Sequence, residues 1–89
     1  MSTRNAERRT SPRIAGEGRV ALMFEDPIPR TVEADLLDTG SQGFRISHDS
    51  PRLVPGLEVA VTGPGVAGRA RVVWTHLLNG RRVSGFVLL

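Results

Sequence analysis

Residues 68–88 read GRARVVWTHLLNGRRVSGFVL, and this stretch settles the class of fold. Gly68 to Leu77 is rich in β-branched and apolar residues, and Arg82 to Leu88 has the same character. Between them, the connection from Leu78 to Arg81 is centred on Asn79-Gly80. An Asn-Gly pair readily takes two successive positive-φ conformations, which a tight turn between twisted strands requires. The stretch therefore predicts a β-hairpin.

Working back toward the N-terminus, the same grammar repeats. Leu57 to Thr62 (LEVAVT) alternates cleanly and is bounded by Pro55-Gly56 and Gly63-Pro64-Gly65. Phe44 to Ser47 (FRIS) is a short strand ahead of Ser50-Pro51, and Asp38 to Gly43 (DTGSQG) reads as a loop. Thr31 to Leu37 (TVEADLL) sets Val32, Ala34 and Leu36 against Glu33 and Asp35, and Arg19 to Glu25 (RVALMFE) is an apolar run ended by Asp26-Pro27. Six short strands with regular turn signals, and no segment of helical period, predict an all-β fold. The expected architecture is a small six-stranded antiparallel β-barrel, which leaves no open edge, with no C-terminal helix. Phe24, Phe44 and Phe86 lie in apolar strand contexts and are expected in its core.

Residues 1–17 differ. They are polar, contain Ser11-Pro12 and Gly16-Glu17-Gly18, and follow neither apolar period. They read as a flexible arginine-rich arm joined to a barrel over 18–89. The 89 residues suffice for one modest core. With no cysteine, no apolar leader and no stretch near the ~20 residues that span a bilayer, the expectation is a cytoplasmic protein without membrane insertion.

All twelve basic residues are arginine, giving a formal net charge of +3. A GC-rich genome would account for the absence of lysine but not for the clustering of Arg4, Arg8, Arg9, Arg13 and Arg19. Arg30, Arg45, Arg52, Arg69, Arg71, Arg81 and Arg82 read most simply as solvated faces or turn positions. Single-stranded nucleic-acid binding calls for aromatic platforms along a basic groove, and four aromatics, three of them core candidates, do not supply them. Asp38, Asp49, His48 and His76 fall into no nucleophile, metal-ligand or phosphate-loop spacing, which argues against an enzyme and against a bound cofactor or metal. His48-Asp49 precedes Ser50-Pro51, where an aspartate commonly caps a turn.

Two spacings remain. Arg9 and Arg13 form R-x-x-x-R, and Asp38, Gly40 and Gly43 form D-x-G-x-x-G. Together with the closing hairpin and its Gly85-Phe86 pair, the chain resembles the PilZ domain, a bacterial receptor module for cyclic di-GMP. The family's signatures are R-x-x-x-R on an N-terminal loop and [D/N]-x-S-x-x-G on a barrel strand. Arg4 and Arg8 share the first spacing, but Arg13 runs into Ile14 and the first strand, as in the family.

The resemblance implies a stand-alone receptor whose arm orders over cyclic di-GMP and then engages an effector protein, in motility or biofilm regulation. Arg9 and Arg13 would grip the ligand, since an arginine fork fits guanine O6 and N7 or a phosphate. Asp38 suits the N1 and N2 donor edge, and Gly43 permits close backbone approach. Arg8 is an additional phosphate contact that fits a stacked ligand pair. Trp74 matches a position that some members place beside a guanine; a packing tryptophan with a satisfied N–H is the other reading.

The chain departs from the family where Gly40 replaces the motif serine, and Ser41 stands one residue late. A lost hydroxyl contact costs about 1 kcal/mol, roughly fivefold in affinity. The alternative is a degenerate PilZ-like domain that binds no nucleotide and serves as a protein-interaction adaptor.

Overall fold

The computed structural model describes Ile14–Ala15 and residues 18–89. Seven strands run in chain order: β1 (Ile14–Ala15), β2 (Arg19–Glu25), β3 (Pro29–Thr39), β4 (Gly43–His48), β5 (Glu58–Gly63), β6 (Val66–Leu78) and β7 (Arg81–Leu88). Among the described residues there is no helix, and so none long and apolar enough to cross a membrane.

Neighbouring strands follow the order β3-β2-β5-β6-β7-β4, and β4 pairs back onto β3, closing six antiparallel strands into a barrel. β1 extends the β2 side of β3, with Ile14 opposite Thr39 and Ala15 opposite Asp38. That short strand falls within the segment expected to be a flexible arm. Arg8, Arg9 and Arg13 lie outside the described residues.

Strand boundaries shift where sequence punctuation was ambiguous. Asp38 and Thr39 belong to β3 and Gly43 opens β4, so the expected six-residue loop shrinks to Gly40, Ser41 and Gln42. Gly40 N–H donates to Gly43 O at 2.8 Å, and Leu88 N–H donates to Gln42 O at 2.8 Å. Backbone hydrogen bonds therefore fix this segment, because a three-residue hairpin loop must present its donors and acceptors somewhere. The Asn79-Gly80 turn is as expected: φ is 51° and 79°, and Leu78 faces Arg81 across it.

The core follows from alternation. Val20, Leu22 and Phe24 of β2 point inward, as do Ala34 and Leu36 of β3 and Val59 and Val61 of β5. Phe44 and Phe86, opposite each other on β4 and β7, stack with ring centroids 4.7 Å apart. Burial of each such side chain contributes on the order of 1.5–3 kcal/mol. The 49–57 segment closes one end of the barrel with Leu53, which is buried in the cluster. It is tied to the β2–β3 turn by Arg52 Nη1, which donates to Asp26 O at 3.2 Å.

Two registers are interrupted. Leu37 is an extra residue in β3 between Leu36 and Asp38, and Val73 is an extra residue in β6 between Val72 and Trp74. A β-bulge of this kind re-aims the side chains that follow it.

Candidate functional site

The two bulges create one row of residues on the outer face. Asp38 of β3 lies opposite Arg45 of β4, Arg45 opposite Gly85 of β7, and Gly85 opposite Trp74 of β6. Directly opposed residues of antiparallel strands share a face. Without the extra residues, strict alternation from Leu36 and Val72 would turn Asp38 and Trp74 into the apolar interior.

Asp38 retains only 6% of its surface. Arg45 Nε donates to Asp38 Oδ2 at 2.8 Å, and Arg45 Nη2 donates to the same oxygen in a shorter contact. A buried carboxylate needs such a charge-assisted partner, since desolvating an ion costs several kcal/mol. The hydrogen bond to Asp38 in turn holds the Arg45 guanidinium above its ordinary value, against a smaller opposing effect of burial. Arg45 was expected to be a solvated strand residue. Its position two residues after Gly43 places it on the outer face of β4, but its partner depends on strand register.

Trp74 sits outside the barrel, half-buried, with its indole against the Gly85 backbone. A Cβ on Gly85 would overlap the indole ring, so glycine is what allows the ring to lie flat on β7. The indole stacks on the His76 ring with centroids 4.8 Å apart. Trp74 thus packs on the outside of the barrel, an arrangement compatible with both readings of this residue. A hollow of about 220 Å³ opens beside it, lined by Arg45, Val73, Trp74 and Gly85 together with the edges of Phe44 and Phe86.

The glycines of the second motif have different roles. A Cβ on Gly43 would overlap the Phe86 carbonyl oxygen, so the close approach it permits is to β7 itself. Gly40 lies in the β3–β4 turn and is not among the residues with positive φ. Ser41 follows at the exposed tip of the turn. The structure thus brings Asp38, Gly40, Ser41 and Gly43 together on the β3–β4 hairpin and sets Trp74 two strands away in the same row.

His48 is structural in a way its sequence context did not reveal. It is 1% exposed, and Ser84 is fully buried. Ser50 N–H donates to His48 Nδ1 at 3.0 Å, so the imidazole, not Asp49, caps this turn. With Nδ1 accepting, Nε2 carries the proton and donates to Ser84 Oγ at 2.7 Å. Ser84 Oγ then donates to Thr75 Oγ1 at 2.6 Å, and Thr75 Oγ1 donates to Leu53 O at 2.7 Å. Every polar atom of this relay has a partner. Burial chiefly, with help from the Arg82 charge, lowers the His48 pKa below its ordinary value. The Ser–His pair has no access from solvent.

A larger groove of about 630 Å³ lies elsewhere, between Met23, Phe24, Pro29, Arg30, Glu58 and Arg69. Of its two acidic residues, Glu25 and Glu58, Glu58 is already engaged: it accepts from Arg71 at 3.0 Å and from Arg69 at 3.3 Å, which hold its carboxyl below the ordinary range. Among the described residues, no group of three or more His, Asp or Glu side chains is placed to hold a metal ion. The chain matches no protein-family model, and no curated protein matches it.

Proposed function

We propose that this chain is a PilZ-type receptor for cyclic di-GMP, with the ligand seated on the outer face of β3, β4, β7 and β6. The observation that carries the reading is the in-register row of Asp38, Arg45, Gly85 and Trp74. It offers a carboxylate acceptor, a fixed guanidinium and a flat aromatic face within four adjacent strands. Guanine presents N1 and N2 donors, O6 and N7 acceptors and a stacking surface, and each has a counterpart there. Arg9 and Arg13 supply the remaining positive charge for the two phosphates, with Arg8 as a further contact. Ligand binding orders the arm, and the new surface engages an effector protein.

The second reading is a PilZ-like adaptor that binds no nucleotide. It is favoured by Gly43, whose lack of a side chain already serves packing against β7, and by Asp38, whose carboxylate is already held by Arg45.

Isothermal titration calorimetry with cyclic di-GMP separates the two, with GTP and a short single-stranded oligonucleotide as controls. The receptor reading expects saturable heat for cyclic di-GMP alone, abolished in Arg9→Ala and in Arg13→Ala. Unchanged melting is expected for the two arginine variants, because the hydrophobic core is drawn from residues between Val20 and Leu88. Absence of heat with the native chain overturns it in favour of the adaptor.

A further inference from the structure

We infer that the free edge of β6 beside the Asn79-Gly80 turn is a dimerisation edge, onto which a second copy of this chain adds its own β6 in antiparallel. The inference does not depend on the cyclic di-GMP reading. β5 accompanies β6 only from Gly63 opposite Val66 to Glu58 opposite Arg71, whereas β7 follows the other side of β6 as far as Arg81 opposite Leu78. One step past β5, Val72 N–H donates to Leu57 O at 2.9 Å, and Gly56 N–H donates to Val72 O at 2.8 Å. After Val73 the strand continues with no neighbour on that side among the described residues.

The turn fixes which backbone groups are left over. A two-residue turn with both φ positive makes Leu78 and Arg81 a hydrogen-bonded pair. Alternation along the ladder then commits His76 and Trp74 to β7 as well, and aims the N–H and C=O of Leu77 and Thr75 away from it. Those groups have no backbone partner among the described residues. A bare edge commonly carries charge or proline, which discourages pairing. The end of the β2–β3 hairpin has Glu25, Pro29 and Arg30. Residues 72–78, VVWTHLL, contain no Arg, Asp, Glu or Pro, and Leu77 and Leu78 are 69% and 52% exposed.

The edge fits a copy of itself. With His76 on the two-fold axis, Thr75 of one copy pairs with Leu77 of the other, and each such pair exchanges both N–H···O bonds. On the outer face, Leu78 of the second copy falls opposite Trp74 as a close, non-hydrogen-bonded pair, an apolar contact for a half-buried indole. A register one residue nearer the barrel is blocked. It would set Leu78 of the second copy opposite Val72, whose backbone Leu57 already holds. The pairing is isologous and uses up the edge of both copies, so it closes at the dimer. The shared stretch is short, which makes the dimer a weak one.

The test is sedimentation velocity of the full chain from about 10 μM to about 1 mM, the range a small interface reaches, with Trp74 emission followed over the same series. The native chain is expected to pass reversibly from monomer to dimer, with a blue shift as the indole is covered. His76→Glu and His76→Lys each set like charges opposite one another and weaken association by at least about tenfold. Their equimolar mixture is expected to dimerise at least as well as the native chain, because residue 76 then faces its opposite charge. Leu77→Pro removes an N–H that points away from β7, so it weakens association by about tenfold while leaving the β6–β7 ladder intact. Circular-dichroism melts matching the native chain show that the variants are folded. A native chain still monomeric at about 1 mM overturns the inference and leaves the edge to a strand of a different protein. Dimers that the single His76 variants do not weaken, or that the mixture does not restore, overturn it as well. None of these results bears on cyclic di-GMP binding, which calorimetry reads separately.

Discussion

Asp38 and Trp74 face the same side of the barrel because each directly follows an extra residue, Leu37 in β3 and Val73 in β6. The two bulges flank Arg45 and Gly85, so four adjacent strands present a carboxylate, a guanidinium, a bare backbone and an indole in sequence. Leu37 and Val73 themselves are exposed, at 37% and 54%. Neither contributes to the core, and their role is to shift the register.

Gly85 sets the height of the indole above β7. In Gly85→Ala the added methyl must displace the Trp74 ring, since the two would overlap. The expected result is a red-shifted tryptophan emission, with a loss of stability of about 1–3 kcal/mol from overpacking. Trp74 is the only tryptophan, so fluorescence and a urea titration on one sample read both effects.

Acid should destabilise the fold through His48. Its folded pKa lies below the ordinary 6.5. The unfolded chain therefore binds this proton first as pH falls. Stability is complete above the unfolded value, declines as pH drops through 6.5, and levels off below the folded value. The slope from this one group is at most about 1.4 kcal/mol per pH unit. Protonation also sets Nδ1–H against the Ser50 N–H that now points at it. Urea midpoints between pH 7.5 and pH 5 should fall in the native chain and depend less on pH in His48→Gln; equal slopes would remove His48 as the cause.

Thr75 ends the buried relay on the Leu53 carbonyl. Thr75→Val keeps the shape but leaves that oxygen and Ser84 short of a partner, at a cost of about 1–3 kcal/mol. Ser84→Ala breaks the same relay, so the double variant should lose less than the sum of the two singles. Strict additivity in denaturant unfolding would show that the relay does not act as a unit.

On the proposed receptor reading, Gly40 stands where the family motif has serine, and its φ is not in the positive range that favours glycine. Gly40→Ser keeps the N–H that donates to Gly43 O. If the chain is the receptor proposed above, the added hydroxyl tightens cyclic di-GMP binding about fivefold, corresponding to about 1 kcal/mol. Calorimetric affinities of the two proteins provide the check, and an unchanged value would mean that position 40 does not touch the ligand.

The strands and their inward faces were legible because they rest on local chemistry. Period-two alternation in β2 and β5, the Asn79-Gly80 turn and the apolar contexts of Phe24, Phe44 and Phe86 each involve neighbours in sequence. The second motif was legible as a cluster on one hairpin, although Asp38 and Thr39 proved to be strand residues. The bond of Arg45 to the buried Asp38 was not legible, since nothing in "GFRIS" distinguishes an arginine bound to a buried carboxylate from one in water. The place of His48 in the buried relay was missed for the same reason: its partner Ser84 lies 36 residues away.

By itself the sequence determined that the chain is all-β, where it turns, and which residues avoid water, for these follow from side-chain polarity and backbone preference at each position. Only the tertiary structure decided the register. Closing six strands into a ring fixes which residues of distant strands oppose one another, and the extra residues at Leu37 and Val73 set the facing of everything after them. A bulge adds one residue without any distinctive composition, so its effect on Asp38 and Trp74 appears only when both partner strands are in place.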